Sequence, residues 1–363
     1  MLNHRHWLLR IPSAIYGMAV GVRNFAYERG WLASEKSSIP TICVGNLAVG
    51  GTGKTPHIEL LIRLLKNDYR IALLSRGYGR KTRGPIIASN RDTAWTIGDE
   101  PFQIKRKFPE VMVYIDGDRR RALHAMEEMP ENERPDVVLM DDGFQHRSVI
   151  PSYTILLSSY QNLYIEDFFM PYGSLRDGRK EAFRADTIII THTPRDVTPV
   201  ELRLKKEALN LLAFQDQYFS RVKYESPRCL FDPSTPDERP RISGLRLNTP
   251  VLVLTGIAEP TEFQELIARK FTNVESYIEY PDHHRFTNSE VTDLVERLEE
   301  DPNLFILTTE KDAMRLLPCE DLIPSSVKER IWYIPIFIDI SLDCRMGLLR
   351  KAKRAIKNNG LTI

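Results

Sequence analysis

The apolar residues of this 363-residue chain fall into short unbroken runs set between stretches of helical spacing. Residues 41–44, 71–74, 111–115, 137–140, 154–157 and 187–190 each place four or five apolar or β-branched residues in succession. Runs of this length without polar alternation fit strands covered on both faces. Residues 57–65 and 119–126 instead repeat apolar positions at helical spacing. Strands alternating with helices predict an α/β fold with a mostly parallel sheet and helices on both faces. Five prolines between Pro227 and Pro250 interrupt the pattern. Beyond them, residues 251–254, 305–307 and 332–337 read as new strands, with helices after Pro260 and Thr287. A polar linker over 34–38 sets off the amino-terminal segment. The expected division is therefore residues 1–36, an α/β core over 37–225, and a smaller second α/β domain over 226–363.

The amino-terminal segment has its own pattern. At 100° per residue, Trp7, Ile11, Ile15, Met18, Val22 and Phe25 share one stripe, with Arg10, Asn24 and Glu28 on another side. The uncharged run 11–22 is too short for a bilayer, which needs about 20 apolar residues. No cleavage site of the signal-peptide kind follows. Two readings of this amphipathic helix stand: it packs on the protein's own core, or it lies in a membrane interface.

Composition narrows the chemistry. Fifty basic and 49 acidic side chains leave a net charge of +1, so no nucleic-acid partner is expected. Cys43, Cys229, Cys319 and Cys344 are far apart, without the spacing of a zinc ribbon or disulfide framework.

The sharpest motif is Ala48-Val49-Gly50-Gly51-Thr52-Gly53-Lys54-Thr55, followed by Pro56. It matches G-x-x-x-x-G-K-[ST] except for Ala48. Glycines let successive backbone N–H groups turn inward around phosphate oxygens, Lys54 reaches the β- and γ-phosphates, and the Thr55 hydroxyl serves Mg²⁺. A strand before the loop and a proline in the first turn of the helix after it complete the context. The sheet is thus of the P-loop NTPase type, with ATP and Mg²⁺ as the expected cofactors. Residues 136–142 end a buried strand in Asp141 and Asp142, one of which would hold Mg²⁺ directly or through water. In Thr309-Glu310-Lys311-Asp312 the Lys stands one position too late for a guanine-reading motif, which disfavours a GTPase.

Further blocks extend the pattern. Residues 44–47 and 50–56, Leu74-Ser75-Arg76-Gly77-Tyr78-Gly79-Arg80, Gly98-Asp99-Glu100-Pro101, 141–147, 309–313 and the helix of residues 7–29 follow one another in order. Together they resemble the tetraacyldisaccharide 4'-kinase family. The resemblance implies transfer of the γ-phosphoryl group of ATP to the 4'-hydroxyl of a lipid A disaccharide 1-phosphate precursor, giving lipid IVA, at the cytoplasmic face of a bacterial inner membrane. It also implies membrane contact through residues 1–30, and no protein partner is predicted. One departure occurs: Met170-Pro171-Tyr172-Gly173-Ser174-Leu175-Arg176-Asp177 ends in Asp where the family usually has Glu.

The resemblance makes Asp99 the general base in a dyad with a histidine, His283 or, failing it, His284. By position alone Asp99 reads as a helix N-cap before Glu100 and Pro101; the two readings are compatible. Arg76, Tyr78 and Arg80, with Arg176 and Asp177, are candidate acceptor-site residues, because Arg suits bidentate phosphate recognition. Arg119, Arg120 and Arg121 open a helix, with at least one on a solvated face. Residues 309–312 receive no catalytic role. Two other functions stay in view: a P-loop kinase of a soluble acceptor, and a regulatory P-loop ATPase.

Overall fold

A computed structural model describes residues 6–232 and 245–359. Residues 1–5 of the amino-terminal segment and 233–244 of the proline-rich stretch lie outside them. Among the described residues, fifteen strands form two sheets and a ribbon. The larger sheet holds β1 (Thr41–Asn46), β2 (Ile71–Ser75), β3 (Ile86–Ile87), β4 (Met112–Ile115), β5 (Val137–Asp141), β6 (Tyr153–Ser159), β7 (Thr187–Thr191) and β8 (Asp216–Phe219). Their order is β3-β4-β2-β5-β1-β6-β7-β8, and every pairing is parallel except β3 with β4. The six runs read from the sequence are β1, β2, β4, β5, β6 and β7. β9 (Arg221–Tyr224) leads to the second sheet, formed by β10 (Arg228–Cys229), β11 (Val251–Thr255), β12 (Val274–Glu279), β13 (Phe305–Thr309) and β14 (Ile331–Ile334). β15 (Ile336–Asp339) pairs antiparallel with β9.

The helices are α1 (Arg10–Glu28), α2 (Lys54–Leu65), α3 (Ala94–Ile97), α4 (Asp99–Lys107), α5 (Arg119–Glu127), α6 (Pro199–Ala208), α7 (Thr261–Lys270), α8 (Asn288–Glu300), α9 (Glu310–Leu316), α10 (Ser325–Lys328) and α11 (Leu342–Lys357). One face of the large sheet packs Ile42, Leu73, Val113 and Leu139 against α2 and α4. Leu74, Val138 and Met140 on the other face meet Ala122, Leu123 and Met126 of α5.

Two features depart from the pattern read along the chain. Residues 332–337 were expected as one strand, but Pro335, which lacks an N–H, separates β14 from β15, and the two join different sheets. The expected second domain ran to residue 363, yet Ile338, Ile340, Leu348 and Ala352 enter the core of the first sheet. The chain thus leaves the first domain through β9, builds residues 228–334, and returns through β15.

Helix α1 reverses the usual arrangement. Its inward residues are largely polar: Ser13 donates to the Phe169 carbonyl at 2.6 Å, Tyr16 to the Arg176 carbonyl at 3.1 Å, and Asn24 to Asp177 Oδ1 at 2.7 Å. Its apolar stripe points outward, with Ile11 65% and Met18 70% exposed. Close docking needs Gly17, where a Cβ would come within 2.7 Å of the Phe169 ring. Among the described residues no helix is long and apolar enough to cross a membrane.

Candidate active site

Parallel pairing puts the carboxyl ends of β1 and β5 side by side, with Val44 opposite Asp141. The loop after β1 and the two acids after β5 therefore emerge at one edge. Gly53, in the left-handed region at φ 78°, caps α2, and Lys54 and Thr55 occupy its first two positions. The loop is braced from outside. Val49 N–H donates to the Ser174 carbonyl at 2.8 Å and Arg176 N–H to the Leu47 carbonyl at 2.7 Å. Buried Asn46 donates to Thr52 Oγ1 at 2.8 Å and accepts from Arg176.

The two acids differ. Asp142 takes a left-handed conformation, φ 48°, and turns its carboxylate to Arg176, which donates two bonds of 3.0 and 2.8 Å. Lys54 Nζ lies 3.9 Å away. Burial alone would raise the Asp142 pKa, but Arg176 and Lys54 hold it below the ordinary carboxylate range. Asp141 is deeper. Burial, then the charges of Glu100 and Asp142, push its carboxyl up to about 7. Its Oδ2 accepts from Ser75 at 3.2 Å, while its buried Oδ1 has no hydrogen-bond partner. Such an unpartnered oxygen amid negative charge is the environment a divalent cation offsets.

Asp99 opens α4, but Gly98 is the N-cap and the Asp99 side chain makes no capping bond. The cap reading of Asp99 is therefore corrected: as the first helical residue it keeps its carboxylate free to face the second domain, near the positive end of the helix. There its Oδ2 accepts from Arg315 Nε at 2.7 Å and lies 3.6 Å from His283 Nδ1. Burial would raise its pKa, but His283 and Arg315 lower it. His284 faces away, 2.9 Å from Glu290 and stacked on Tyr280. Of the two adjacent histidines, geometry joins His283 to Asp99.

The acceptor-side candidates separate. Arg76 and Tyr78 are exposed, with Tyr78 edge-on to His283 at 5.5 Å between ring centres. Arg80 donates to the Gly84 carbonyl of its own loop at 2.6 Å. Asp177 is wholly buried under α1, bonded to Asn24 and within 4 Å of Arg23 and Arg184. It anchors that helix and presents no surface to an acceptor.

Two arginines carry more than the sequence suggested: Arg119, read there only as part of a helix start, and Arg315, not singled out at all. Arg119 is buried, donating to the carbonyls of Asp116 and Asp141, and so props the strand end that carries the acids. Arg315, three residues past Asp312, closes the Asp99 side. The 309–313 block signals it only by proximity.

This is a P-loop phosphotransferase site: a phosphate-binding loop and two strand-end acids on one domain, with a carboxylate shared with a second. Comparison with known proteins gives the family. Residues 5–353 match the family described as tetraacyldisaccharide-1-P 4'-kinase, and the chain belongs to it. A tetraacyldisaccharide 4'-kinase of Porphyromonas gingivalis is 41% identical over 342 residues, 93% of each chain. That of Parabacteroides distasonis is 42% identical over 339 residues, 93% of this chain and 90% of its own. Among solved structures, LpxK from Aquifex aeolicus in complex with ATP is 26% identical, with a TM-score of 0.74, covering 97% of this chain and 99% of that one.

Proposed function

We propose that this chain transfers the γ-phosphoryl group of ATP to the 4'-hydroxyl of a tetraacyldisaccharide 1-phosphate, giving lipid IVA in lipid A synthesis, on the cytoplasmic face of a bacterial inner membrane. The observation that carries this reading is the family match over residues 5–353 in a chain whose phosphate loop, paired acids and Asp99–His283 contact are intact.

The loop from Val49 to Pro56 cradles the phosphates of ATP, and Lys54 supplies a point charge to the transferring group. Thr55, Asp141 and Asp142 fit a divalent cation, and Mg²⁺ bound there would neutralise phosphate charge. Asp141 is the better direct ligand, because Arg176 occupies both oxygens of Asp142. Asp99 accepts the proton of the 4'-hydroxyl as its oxygen bonds to the γ-phosphorus, while the bond to the β-phosphate oxygen breaks and ADP leaves. Exposed Arg76, and Tyr78 against His283, suit the sugar and its 1-phosphate.

A lipid acceptor is supported by α1. Its outward stripe offers Ile11, Ile15, Met18 and Val22 to an acyl boundary. A cavity of about 1020 Å³ between α1 and residues 167–181, lined by Gly17, Val20, Phe168, Phe169 and Leu175 among others, offers room for acyl chain. A soluble acceptor would leave both features without a role, and an ATPase lacking an acceptor would leave Asp99 without one.

The test is incubation with ATP, Mg²⁺ and an acylated disaccharide 1-phosphate, followed by mass analysis for one added phosphate. Lys54→Ala should abolish the product without unfolding the protein. Asp99→Ala should lower kcat by about 10²–10⁴-fold. No product from the wild-type protein on vesicles containing the acceptor would refute the reading.

A further inference from the structure

We infer that Arg315 is the positioning residue of the Asp99–His283 pair, bridging the two side chains and fixing which ring nitrogen of His283 carries the proton. The inference rests on Asp99 acting as the base. Between Asp99 Oδ2 and His283 Nδ1 the gap is 3.6 Å, beyond a direct hydrogen bond. Arg315 fills it. Its Nε donates to Asp99 Oδ2 at 2.7 Å, and its Nη2 lies 3.2 Å from His283 Nδ1. Its Nη1 is spent on the Gly256 carbonyl at 2.7 Å and on Asp312 Oδ1 at 2.8 Å. The guanidinium is almost fully buried, and each of its three nitrogens has a partner.

A guanidinium can only donate. Lys311 Nζ is a competing donor, 3.4 Å from His283 Nε2 and equally far from Asp282 Oδ1. Its partly exposed chain can turn to Asp282 alone, whereas the buried guanidinium is held in place. His283 Nδ1 is therefore the acceptor, and in the neutral ring the proton sits on Nε2, toward Asp282 Oδ2 at 3.7 Å. On Asp99 the bridge engages Oδ2, which leaves Oδ1 to receive the acceptor proton. The anchor beneath is rigid: Asp312 also accepts from Gly256 N–H at 2.9 Å and from Thr309 Oγ1 at 2.7 Å. The charged and titratable groups around Asp99 are Arg315 and, behind it, Asp312 on α9; His283 with Asp282 and Lys311 behind it; Tyr78 against the His283 ring; and Glu100 beside it on α4. Arg315 keeps Asp99 ionised, and His283 adds to this only when its ring is protonated on both nitrogens. The bridge spans both domains, so the second domain sets the geometry of a base carried by the first.

The full chain supplies the test. With ¹⁵N-labelled histidine and no variant at all, the neutral His283 ring should show the proton on Nε2; a proton found on Nδ1 overturns the inference. Arg315→Lys should lower kcat about 10–100-fold, the worth of a charge-assisted hydrogen bond. KM for ATP should stay within about twofold. The acid limb of kcat/KM should move to higher pH, because Asp99 loses part of what holds its pKa down, and the ring should become a mixture of tautomers. Asp312→Asn, which loosens the anchor without touching Asp99, should move limb and tautomer the same way by less. A fall in kcat with both limb and tautomer unmoved would mean Arg315 only supports the fold. Asp99→Ala run in parallel separates the two ideas: full activity there removes the base, whereas a dead Asp99→Ala beside normal Arg315 variants removes only the bridge.

Discussion

Helices α1 and α11 both lie against the first domain, and they treat their apolar residues in opposite ways. α11 turns Leu348 and Ala352 into the core beside α2 until neither keeps more than 1% exposure. α1 turns Ser13 and Asn24 inward and leaves Ile11, Ile15, Met18 and Val22 to solvent. The first arrangement is how a chain stabilises itself. The second is held by hydrogen bonds to Phe169, Arg176 and Asp177, and keeps a contiguous apolar surface for something else.

The contrast breaks most visibly by deletion. Removing residues 341–363 should leave the first domain unable to fold, seen as insoluble protein or loss of the cooperative transition. Removing residues 1–30 should leave a folded protein that still binds ATP but no longer floats with vesicles. If the shortened protein lost its thermal transition instead, α1 would be part of the core and the comparison would fail.

Point substitutions sharpen it. Leu348→Ala should cost about 2–5 kcal/mol in chemical unfolding. Ile15→Ala should change stability by no more than about 0.5 kcal/mol, as expected of an exposed side chain. Replacing Ile15 and Val22 by Glu should keep the melting temperature yet weaken vesicle partition about 10²-fold or more, since two aliphatic side chains that would enter the acyl boundary are lost. An unchanged flotation profile would move the membrane contact elsewhere. A last substitution concerns the polar side of α1. Asn24→Ala deprives buried Asp177 of its amide donor and should cost about 1–3 kcal/mol, measured by urea unfolding.

The central strands were legible because burial on both faces leaves a continuous apolar run, as at Val137–Asp141. β12 was not, since this edge strand alternates half-buried and exposed positions and looks like surface. The stripe of α1 was readable from spacing, but not which way it faces. That depends on Ser13, Tyr16 and Asn24 finding partners more than 150 residues away. The phosphate loop was legible because its chemistry is local. Arg315 was not, because its partner Asp99 lies 216 residues earlier and no local spacing joins them. Asp177 was legible as part of a motif and misassigned to the acceptor, because only the fold shows that α1 covers it.

The double connection through β9 and β15 bears on the order in which a growing chain acquires structure. The second sheet and its helices draw their two cores from residues 230–333 and 251–334, so they have all they need before β15 is made. The first domain begins nearly 200 residues sooner, yet its core around Ile42 and Ile58 waits for Ile338, Leu348 and Ala352. Emerging from the ribosome, the amino-terminal domain is therefore the later one to close, against the common tendency of domains to fold in order of synthesis. Until α11 docks, the apolar face of α2 is open to the cell's chaperones.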